Sequence, residues 1–360
     1  MSSSLGSFPL SFVFFYYHLV FVFSLDIFDT EFWSSPTCDT REVALLMENM
    51  KFTALASRAS GTSLCYTRVF NRWRSFATTV LGTSPFPVEP SHCALFLQYL
   101  LESSRSVSSI NSAFHAFKWL HDLAGVTSPT SHPTVVAVKE GAVRSASSSA
   151  NHRKEPLEAE HLRKLAEKTD LHDLLQLRNL VMFVLAFSGF FRFSELSLIR
   201  SKDVKFNDGF LSIFIEKSKA DQLREGQSVV IAESAGSSIC PVALLKLYMS
   251  SSNLSFDSEE YLFRPISSSS NRKRLVSVNK PICYSTYRES FKKSFRDIAP
   301  DISKFSTHSA RSGGATLAAN SGVPERNLQR HGRWASTSAK NIYVKDSLAS
   351  RLEVSKSLSL

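Results

Sequence analysis

The sequence predicts a mainly α-helical protein with a small antiparallel β-sheet, divided into two domains. Its 360 residues exceed what a single hydrophobic core usually organises. Apolar residues recur at helical spacing through much of the chain, and only two short runs have β-strand character. A serine-rich stretch without apolar periodicity interrupts the pattern. We therefore expect domains at residues 49–144 and 157–360, joined by a linker at 145–156, with residues 1–48 set apart.

The composition is that of an ordinary globular protein with an excess of positive charge. Hydrophobic residues make up 43% and charged residues 21% of the chain, which excludes collagen-like and coiled-coil proteins. Lysine and arginine outnumber acidic residues 42 to 32, and the net charge of +10 favours a polyanionic partner. The five cysteines form no CxxC pair, which argues against a zinc site and is typical of a reduced intracellular compartment.

Residues 8–25 form a markedly hydrophobic segment near the start of the chain. The segment is barely long enough to span a bilayer, and it includes Ser11, His18 and Ser24. No basic residue precedes it and no small-x-small cleavage site follows it, so the signal-peptide pattern is incomplete. We interpret the segment as peripheral to the fold, with a signal or anchor as the alternative, and we expect no membrane partner.

The first domain is predicted to be helical. Its clearest helix spans 108–124, where apolar residues recur at three- and four-residue intervals and leave His121 on another face. Another helix begins after Pro90. Upstream of these, Arg68, Arg72 and Arg74 lie among apolar residues. Two interpretations of these arginines stay open, a solvated helix face and a surface that contacts DNA phosphates.

Two basic stretches lie outside the predicted helices. The linker contains Arg153 and Lys154, which can lie along a phosphate backbone. The residues NRKR at 271–274 follow four serines and are interpreted as a polar surface loop, with a nuclear import signal as the alternative.

The second domain combines helices with one β-hairpin. Short strands are predicted at 210–216 and 229–232, separated by a polar stretch. The helices predicted around them cover 158–168, 171–188, 241–250 and 284–298. The hairpin therefore interrupts an otherwise helical domain.

The segment 302–345 is strongly basic. It has seven lysine or arginine residues and a single acidic residue, Glu325. The basic residues are Lys304, Arg311, Arg326, Arg330, Arg333, Lys340 and Lys345. A site made of paired carboxylates around a divalent metal needs acids that are missing here. The segment instead favours phosphate binding without a metal, and we expect no cofactor.

Spaced polar residues of this segment suggest a reactive site. His308 and Arg311 lie three residues apart at the start of a predicted helix, so both can reach one ligand. A further helix that starts at Ser336 or Thr337 places Tyr343 two turns along. A lone tyrosine at such a position is usually a packing residue, so only its neighbours give it a chemical meaning.

Four motifs, in this order, resemble the catalytic domain of the tyrosine recombinase, or phage integrase, family. They are GFFRFSEL at 189–196, SKAD at 218–221, HSAR at 308–311, and Trp334 nine residues before Tyr343. Each motif is weak by itself, but their shared order makes the resemblance specific. It implies a two-domain architecture, a helical core-binding domain followed by an α+β catalytic domain. The serine-rich style also resembles recombinases of eukaryotic mobile elements, which implies a nuclear location.

The resemblance implies that Tyr343 is the nucleophile that attacks the scissile phosphate. Arg192 and Arg311 would grip the non-bridging phosphate oxygens, a task that suits a planar guanidinium. His308 would assist proton transfer or hydrogen-bond the phosphate, and Trp334 would donate its indole N–H.

Two further roles follow from the same resemblance. Lys219 would protonate the departing 5′ oxygen, and Lys217 and Lys205 are competing candidates for this role. Glu195, one helical turn after Arg192, would orient a neighbouring basic group rather than perform chemistry.

One position departs from the family pattern. The family commonly has glycine directly before the His or Trp of its last motif, whereas this chain has Arg333 between Gly332 and Trp334. His331 is therefore a rival of Trp334, and the spacing to Tyr343 favours Trp334. Arg333 itself is expected among the DNA-binding residues.

The predicted function is that of a site-specific DNA recombinase, which cleaves and rejoins strands through a 3′-phosphotyrosyl intermediate without metal or ATP. The resemblance implies double-stranded DNA as the partner and a homo-oligomer on DNA, commonly a tetramer. Three alternatives stay open: a catalytically inactive DNA-binding protein derived from a recombinase, a type IB topoisomerase, and a helix-turn-helix protein that binds DNA through 320–334.

Overall fold

The chain folds into two compact units that divide between Asn151 and His152 in this computed structural model. The structure describes residues 27–34, 40–146, 153–216, 226–269 and 272–358. Each unit has its own hydrophobic core. The segment 8–25 lies outside the described residues, and among those that are described no helix has the length and hydropathy needed to cross a bilayer.

The first unit is built from helices around an aromatic core. Its main helices are α1 Arg41–Leu55, α2 Ser60–Phe76, α3 Pro90–Ser104, α4 Val107–Ala124 and α5 Pro133–Ala146. Shorter helical pieces are Glu31–Ser34, Ala77–Leu81 and Pro129–Ser131. The Trp73 ring meets the rings of Phe96 and Phe117 edge-on, with both centroids at 5.4 Å. The helix predicted at 108–124 is confirmed as α4.

The start of the first unit corrects the predicted boundary at residue 49. Ile27 and Trp33 are buried in the core of this unit. The Trp33 indole N–H donates to the carbonyl of Leu123 at 3.0 Å, and the Thr30 hydroxyl donates to the carbonyl of Ala124 at 2.6 Å. Residues 27–34 therefore pack against the end of α4, although no periodic pattern in the sequence marks them.

His121 of α4 is buried, although the helical spacing places it away from the apolar stripe. Its Nε2 accepts the backbone N–H of Val88 at 3.0 Å, and its Nδ1 lies 2.8 Å from the carbonyl of Phe117. These partners require a neutral ring with the proton on Nδ1. Burial lowers the pKa of His121 below its ordinary value, against the opposing effects of the Phe117 carbonyl and the Asp122 charge.

Acidification is therefore expected to destabilise the first unit. Below a pH of about 6.5 the unfolded chain binds a proton that folded His121 resists, so the free energy of unfolding falls as pH is lowered. Thermal unfolding of the wild type and of His121→Gln, followed from neutral pH to about pH 5.5, measures the effect. The variant can still accept the Val88 N–H but does not titrate in this range. Equal pH slopes for the two proteins would contradict the assignment.

The second unit is helical with a three-stranded antiparallel sheet, and the predicted fold class is confirmed. Its helices are α6 Ala159–Lys168, α7 Leu174–Ser188, α8 Pro241–Ser251, α9 Tyr284–Phe295, α10 Ser309–Asn320, α11 Glu325–Gly332, α12 Thr337–Asn341 and α13 Leu348–Ser357. Single turns occur at Phe193–Leu196, Ser201–Asp203 and Ile302–Lys304. The strands are β1 Val204–Asn207, β2 Phe210–Ile215, β3 Gln227–Ala232, β4 Ile266–Ser269 and β5 Arg272–Leu275.

The two sheets of this unit differ from the sequence prediction in one respect each. The predicted hairpin is present as β2 and β3, but β1 adds a third strand, with Val204 opposite Ile213. Strands β4 and β5 form a second hairpin where a loop was expected. That serine- and arginine-rich stretch has no apolar alternation that would predict strands. Its pairing is supported instead by Ile266 and Leu275, which pack against the core at its two ends.

Helix α7 is the centre of the second core, and α10 lies directly against it. The residues of α7 from Leu180 to Ala186 are buried, and α6, α8, α9 and α10 pack around them. A Cβ added at Gly313 would lie 1.9 Å from the carbonyl oxygen of Leu157, and one at Gly314 would lie 2.0 Å from that of Phe187. The two glycines of α10 therefore allow a direct contact with neighbouring backbone.

Candidate active site

Five polar or aromatic side chains from separate motifs converge at the start of α10. The Arg311 guanidinium carbon lies 4.7 Å from the ring centroid of Trp334 and 4.8 Å from that of Tyr343. The Tyr343 ring is 5.6 Å from the Trp334 ring and 6.3 Å from the His308 ring, centroid to centroid. Arg192 is near enough for its positive charge to lower the pKa of Arg311. The structure thus brings these predicted residues together.

Tyr343 is partly buried and its backbone is tied to α10. Helix α12 begins after Ser336, whose hydroxyl accepts the Ala339 N–H at 3.2 Å, so the predicted start is confirmed. The helix ends at Asn341, so Tyr343 lies in the turn that follows rather than inside the helix. Its carbonyl accepts hydrogen bonds from the hydroxyls of Ser312 at 2.6 Å and Thr316 at 3.3 Å.

Arg311 is completely buried, and two backbone carbonyls hold its guanidinium. Nη1 donates to Phe190, and Nη2 donates to Gly332 at 2.5 Å. Its Nε has no acceptor among the described residues. Burial, reinforced by the charge of Arg192, lowers the pKa of Arg311 to about 9. The side chain therefore stays charged at neutral pH.

Glu195 is a buried carboxylate that connects the basic groups of the site. Its Oε1 accepts from Nη1 of Arg192 at 2.7 Å, and its Oε2 accepts from Nη2 of Arg333 at 2.7 Å. Arg311 Nη1 lies 3.7 Å from the same Oε2. Burial favours the protonated form, but the guanidinium charges outweigh it and the pKa of Glu195 is lowered. The contacts fit the orienting role that the resemblance implies.

The expectation that Arg333 contacts DNA is corrected by its position. The residue ends α11 in the left-handed region, with φ of 54°, and its side chain points into the protein. Nη1 donates to the carbonyls of Gly189 and His331, and Nη2 donates to that of Phe190. Ion pairing with Glu195 explains why this charge is buried.

Trp334 occupies the place beside Tyr343, and His331 does not. The His331 Nε2 lies 2.8 Å from the carbonyl of Ser188, and burial lowers its pKa. The Trp334 ring folds back over Gly332, where an added Cβ would lie 2.0 Å from Cζ3 of the indole. Its indole N–H is buried without an acceptor among the residues that the structure covers. The geometry therefore favours Trp334 for the His or Trp position.

The candidates for the general acid differ in whether the structure describes them. Lys219 and its competitor Lys217 lie outside the described residues, which resume at residue 226. Lys205, the third candidate, is exposed on β1 opposite Ser212. No group of three or more His, Cys, Asp or Glu side chains within the described ranges is arranged to hold a metal ion.

The remaining candidates for DNA contact lie mostly on the surface. Arg68, Arg72 and Arg153 are exposed. Arg72 donates to the Ser103 hydroxyl at 3.0 Å, and Arg74 is partly buried over the Phe70 ring. Lys154 is exposed, and its ammonium donates to the carbonyl of Ser303 at 2.6 Å.

Comparison with known proteins identifies the family. The model of the phage integrase family matches residues 155–349, more than half of the chain. An integrase/recombinase XerD homologue of Selenomonas ruminantium is 27% identical over 270 residues, covering 73% of this chain and 75% of that protein. The recombinase Cre of Escherichia phage P1 is 25% identical over 273 residues, covering 72% and 77%.

Solved structures show the same fold. The XerH site-specific recombinase bound to its palindromic difH substrate, in the post-cleavage complex, matches with a TM-score of 0.59 and 15% identity, over 99% of this chain and 90% of that chain. A lambda integrase dimer bound to a core site matches with a TM-score of 0.52 and 16% identity, over 84% and 95%. With the family match and the ordered motifs, these likenesses show that the chain belongs to the phage integrase family.

Proposed function

We propose that this protein is a site-specific DNA recombinase that cleaves and rejoins strands through a covalent bond to Tyr343. The observation that carries the proposal is the position of the Tyr343 ring, 4.8 Å from the buried Arg311 guanidinium. A tyrosine beside an anion-binding arginine has the surroundings that attack on a phosphate requires. The DNA-bound recombinases among its structural relatives support the same substrate class.

The proposed reaction conserves the energy of the phosphodiester bond. The Tyr343 oxygen attacks phosphorus, the P–O5′ bond breaks, and a 3′-phosphotyrosyl link and a 5′ hydroxyl are formed. His308 is the candidate that accepts or relays the phenol proton, and Lys219 is the candidate that protonates the 5′ oxygen. Attack by the 5′ hydroxyl of another strand reverses both bond changes. The cycle therefore consumes no ATP.

The test is a search for covalent protein–DNA adducts on nicked duplexes. Because the target sequence is not known, the substrate is a pool of randomised duplexes that carry a nick beside the cleavable bond. The short fragment that bears the new 5′ hydroxyl diffuses away. Its loss prevents religation, so the covalent intermediate accumulates. Adducts that survive denaturing detergent are recovered and sequenced, and the selected sites are tested for two-site recombination.

The alternative functions give different outcomes in this assay, and a helix-turn-helix protein would behave like any DNA-binding protein without a catalytic site. A catalytically inactive DNA-binding protein would retain DNA from the pool without forming any adduct. A type IB topoisomerase would form adducts and relax supercoiled plasmid but would not exchange two selected sites. Recombination between two sites, with an adduct at each, is the result that the proposal expects.

A homotetramer on DNA is the assembly that we propose. Helix α13 at the chain end has no buried residue, and Leu348 and Val354 are 69% and 70% exposed. A groove of about 770 Å³ lies between α7, β3, α10 and α11 of the same unit. Its apolar lining includes Phe187, Phe190, Val229, Leu317, Val323 and Leu328. The exposed apolar side chains of this tail, from a neighbouring protomer, would cover such a groove.

Removal of residues 347–360 is expected to prevent assembly without preventing DNA binding. Mass photometry on a duplex that carries one selected site measures how many protomers and how many duplexes each complex contains. The full chain should form tetramers on paired duplexes, and the truncated chain should stop at one protomer per half-site. Tetramers of the truncated chain would contradict the role of the tail.

A nuclear location stays a prediction that rests on the resemblance to recombinases of eukaryotic mobile elements. Within the basic run 271–274, Lys273 pairs with Asp173. That contact favours the structural interpretation of this run over an import signal.

A further inference from the structure

Arg333 is a buried arginine that the proposed mechanism does not use. Its guanidinium donates to the carbonyls of Gly189 at 3.2 Å, Phe190 at 3.0 Å and His331 at 2.7 Å. The first two carbonyls belong to the segment that carries Arg192. Arg333 thus connects the end of α11 to one of the two arginines that are expected to hold the phosphate.

Arg333 also shares acceptors with Arg311. The Phe190 carbonyl accepts from both side chains, and the same Glu195 oxygen lies 2.7 Å from Arg333 and 3.7 Å from Arg311. The other Glu195 oxygen accepts from Arg192 at 2.7 Å. One carboxylate therefore faces three guanidinium groups, and both of its oxygens are occupied.

The net charge of the cluster formed by Arg192, Glu195, Arg311 and Arg333 depends on Arg333. Three guanidinium groups and one carboxylate, 3 − 1, leave a net charge of +2 on these four side chains. Attack of a phenolate on a phosphodiester gives a five-coordinate phosphorus whose non-bridging oxygens carry about two negative charges. Without Arg333 the sum is 2 − 1, or +1, because the Glu195 charge would cancel one of the phosphate-binding arginines.

We propose that Arg333 is a positioning residue that neutralises Glu195, so that Arg192 and Arg311 keep their charges for the phosphate. Glu195 holds Arg192 in place but adds a negative charge to a site that must bind an anion. Arg333 offsets that charge through its 2.7 Å contact with Oε2 of Glu195. The proposal rests on the proposed function, since it concerns the same phosphate site.

A double-substitution cycle tests the proposal. The variants are Arg333→Gln, Glu195→Gln and the combination of both, and the readout is the single-turnover rate of adduct formation on a selected nicked duplex. Arg333→Gln leaves the Glu195 charge uncompensated and should slow adduct formation about 100-fold, with a smaller change in DNA affinity. Adding Glu195→Gln restores the charge balance, so the double variant should be at least about 10-fold faster than Arg333→Gln alone.

A purely structural role predicts the opposite order. If Arg333 only packs the end of α11, the second substitution removes a further buried partner and the double variant is as slow as Arg333→Gln or slower. That result would overturn the proposal. Arg163→Gln, which changes an exposed arginine of α6 paired with Glu160 at the surface, is the control for loss of one positive charge. Its rate should stay within about two-fold of the wild type.

Folding and function can be separated in the same experiment. Thermal unfolding identifies any variant that does not fold. If Arg333→Gln does not fold, Arg333→Lys is tested in its place. Lysine keeps the positive charge but lacks the planar pair of donors of arginine. A folded Arg333→Lys protein should remain within about 10-fold of the wild-type rate, and a loss above about 100-fold would overturn the charge argument. A wild-type protein that forms no adduct would instead refute the proposed function, and this inference with it.

Discussion

Replacement of Tyr343 by phenylalanine is expected to abolish adduct formation and to leave DNA binding nearly unchanged. The substitution removes only the phenol oxygen. The ring can keep its place beside Trp334 and Arg311, and the carbonyl of residue 343 can still accept from Ser312 and Thr316. Adducts on a selected nicked duplex, separated on a denaturing gel, should fall below detection. Fluorescence anisotropy on the intact duplex should give a Kd within about three-fold of the wild type.

Tyr284 offers a matched control for this substitution. It is a half-exposed tyrosine, and its hydroxyl lies 3.2 Å from that of Thr307, next to His308. Tyr284→Phe removes a phenol oxygen from the neighbourhood of α10 without touching the proposed nucleophile, and it should leave adduct formation intact. If adducts persist in Tyr343→Phe and disappear in Tyr284→Phe, the nucleophile has been assigned to the wrong residue.

Arg311→Lys is expected to have the second largest effect, a loss of about 100- to 1,000-fold in the rate of adduct formation. Lysine keeps the charge but cannot hold the carbonyls of Phe190 and Gly332 and still present a planar pair of donors to a phosphate. Single-turnover kinetics on the selected duplex measure the rate. Stability should fall as well, by about 1–3 kcal/mol for the Gly332 carbonyl if it is left without a donor, since the Phe190 carbonyl still accepts from Arg333.

Arg178→Lys separates the catalytic loss from the loss of stability. Arg178 is also a fully buried arginine of the second unit, and it donates to the carbonyl of Arg264 and the side chain of Asn179. Its replacement should lower the unfolding temperature to a similar extent but leave adduct formation near the wild-type rate well below that temperature. Similar rate losses in the two variants would mean that Arg311 acts only through stability.

The order of motifs in the sequence predicted most of the candidate site. Arg192, His308, Arg311, Trp334 and Tyr343 come from three separate stretches, and the structure brings them around one another. Helical spacing alone would not have predicted that these residues meet. It defines one face of each helix but does not show which helices pack together. The family resemblance supplied that long-range information, and Lys219 stays a prediction because the structure does not describe it.

The errors concern polar groups whose burial depends on distant partners. His121 belongs to the polar side of its helix by periodicity, yet the Val88 N–H provides a buried partner. Arg333 was predicted to face DNA, yet Glu195, 138 residues away in sequence, pairs with it inside the protein. The residue type predicts that burial of a charged side chain costs free energy. Only the fold shows whether a buried partner offsets that cost.

Gly313 and Gly314 have a consequence for how the site meets its substrate. Because α10 contacts the carbonyls of Leu157 and Phe187 without an intervening side chain, it has no slack in which to rotate or slide. The Arg311 guanidinium is consequently fixed in direction before any DNA arrives. The entropy of orienting that cation was lost when the chain folded, so binding of the scissile phosphate does not have to supply it.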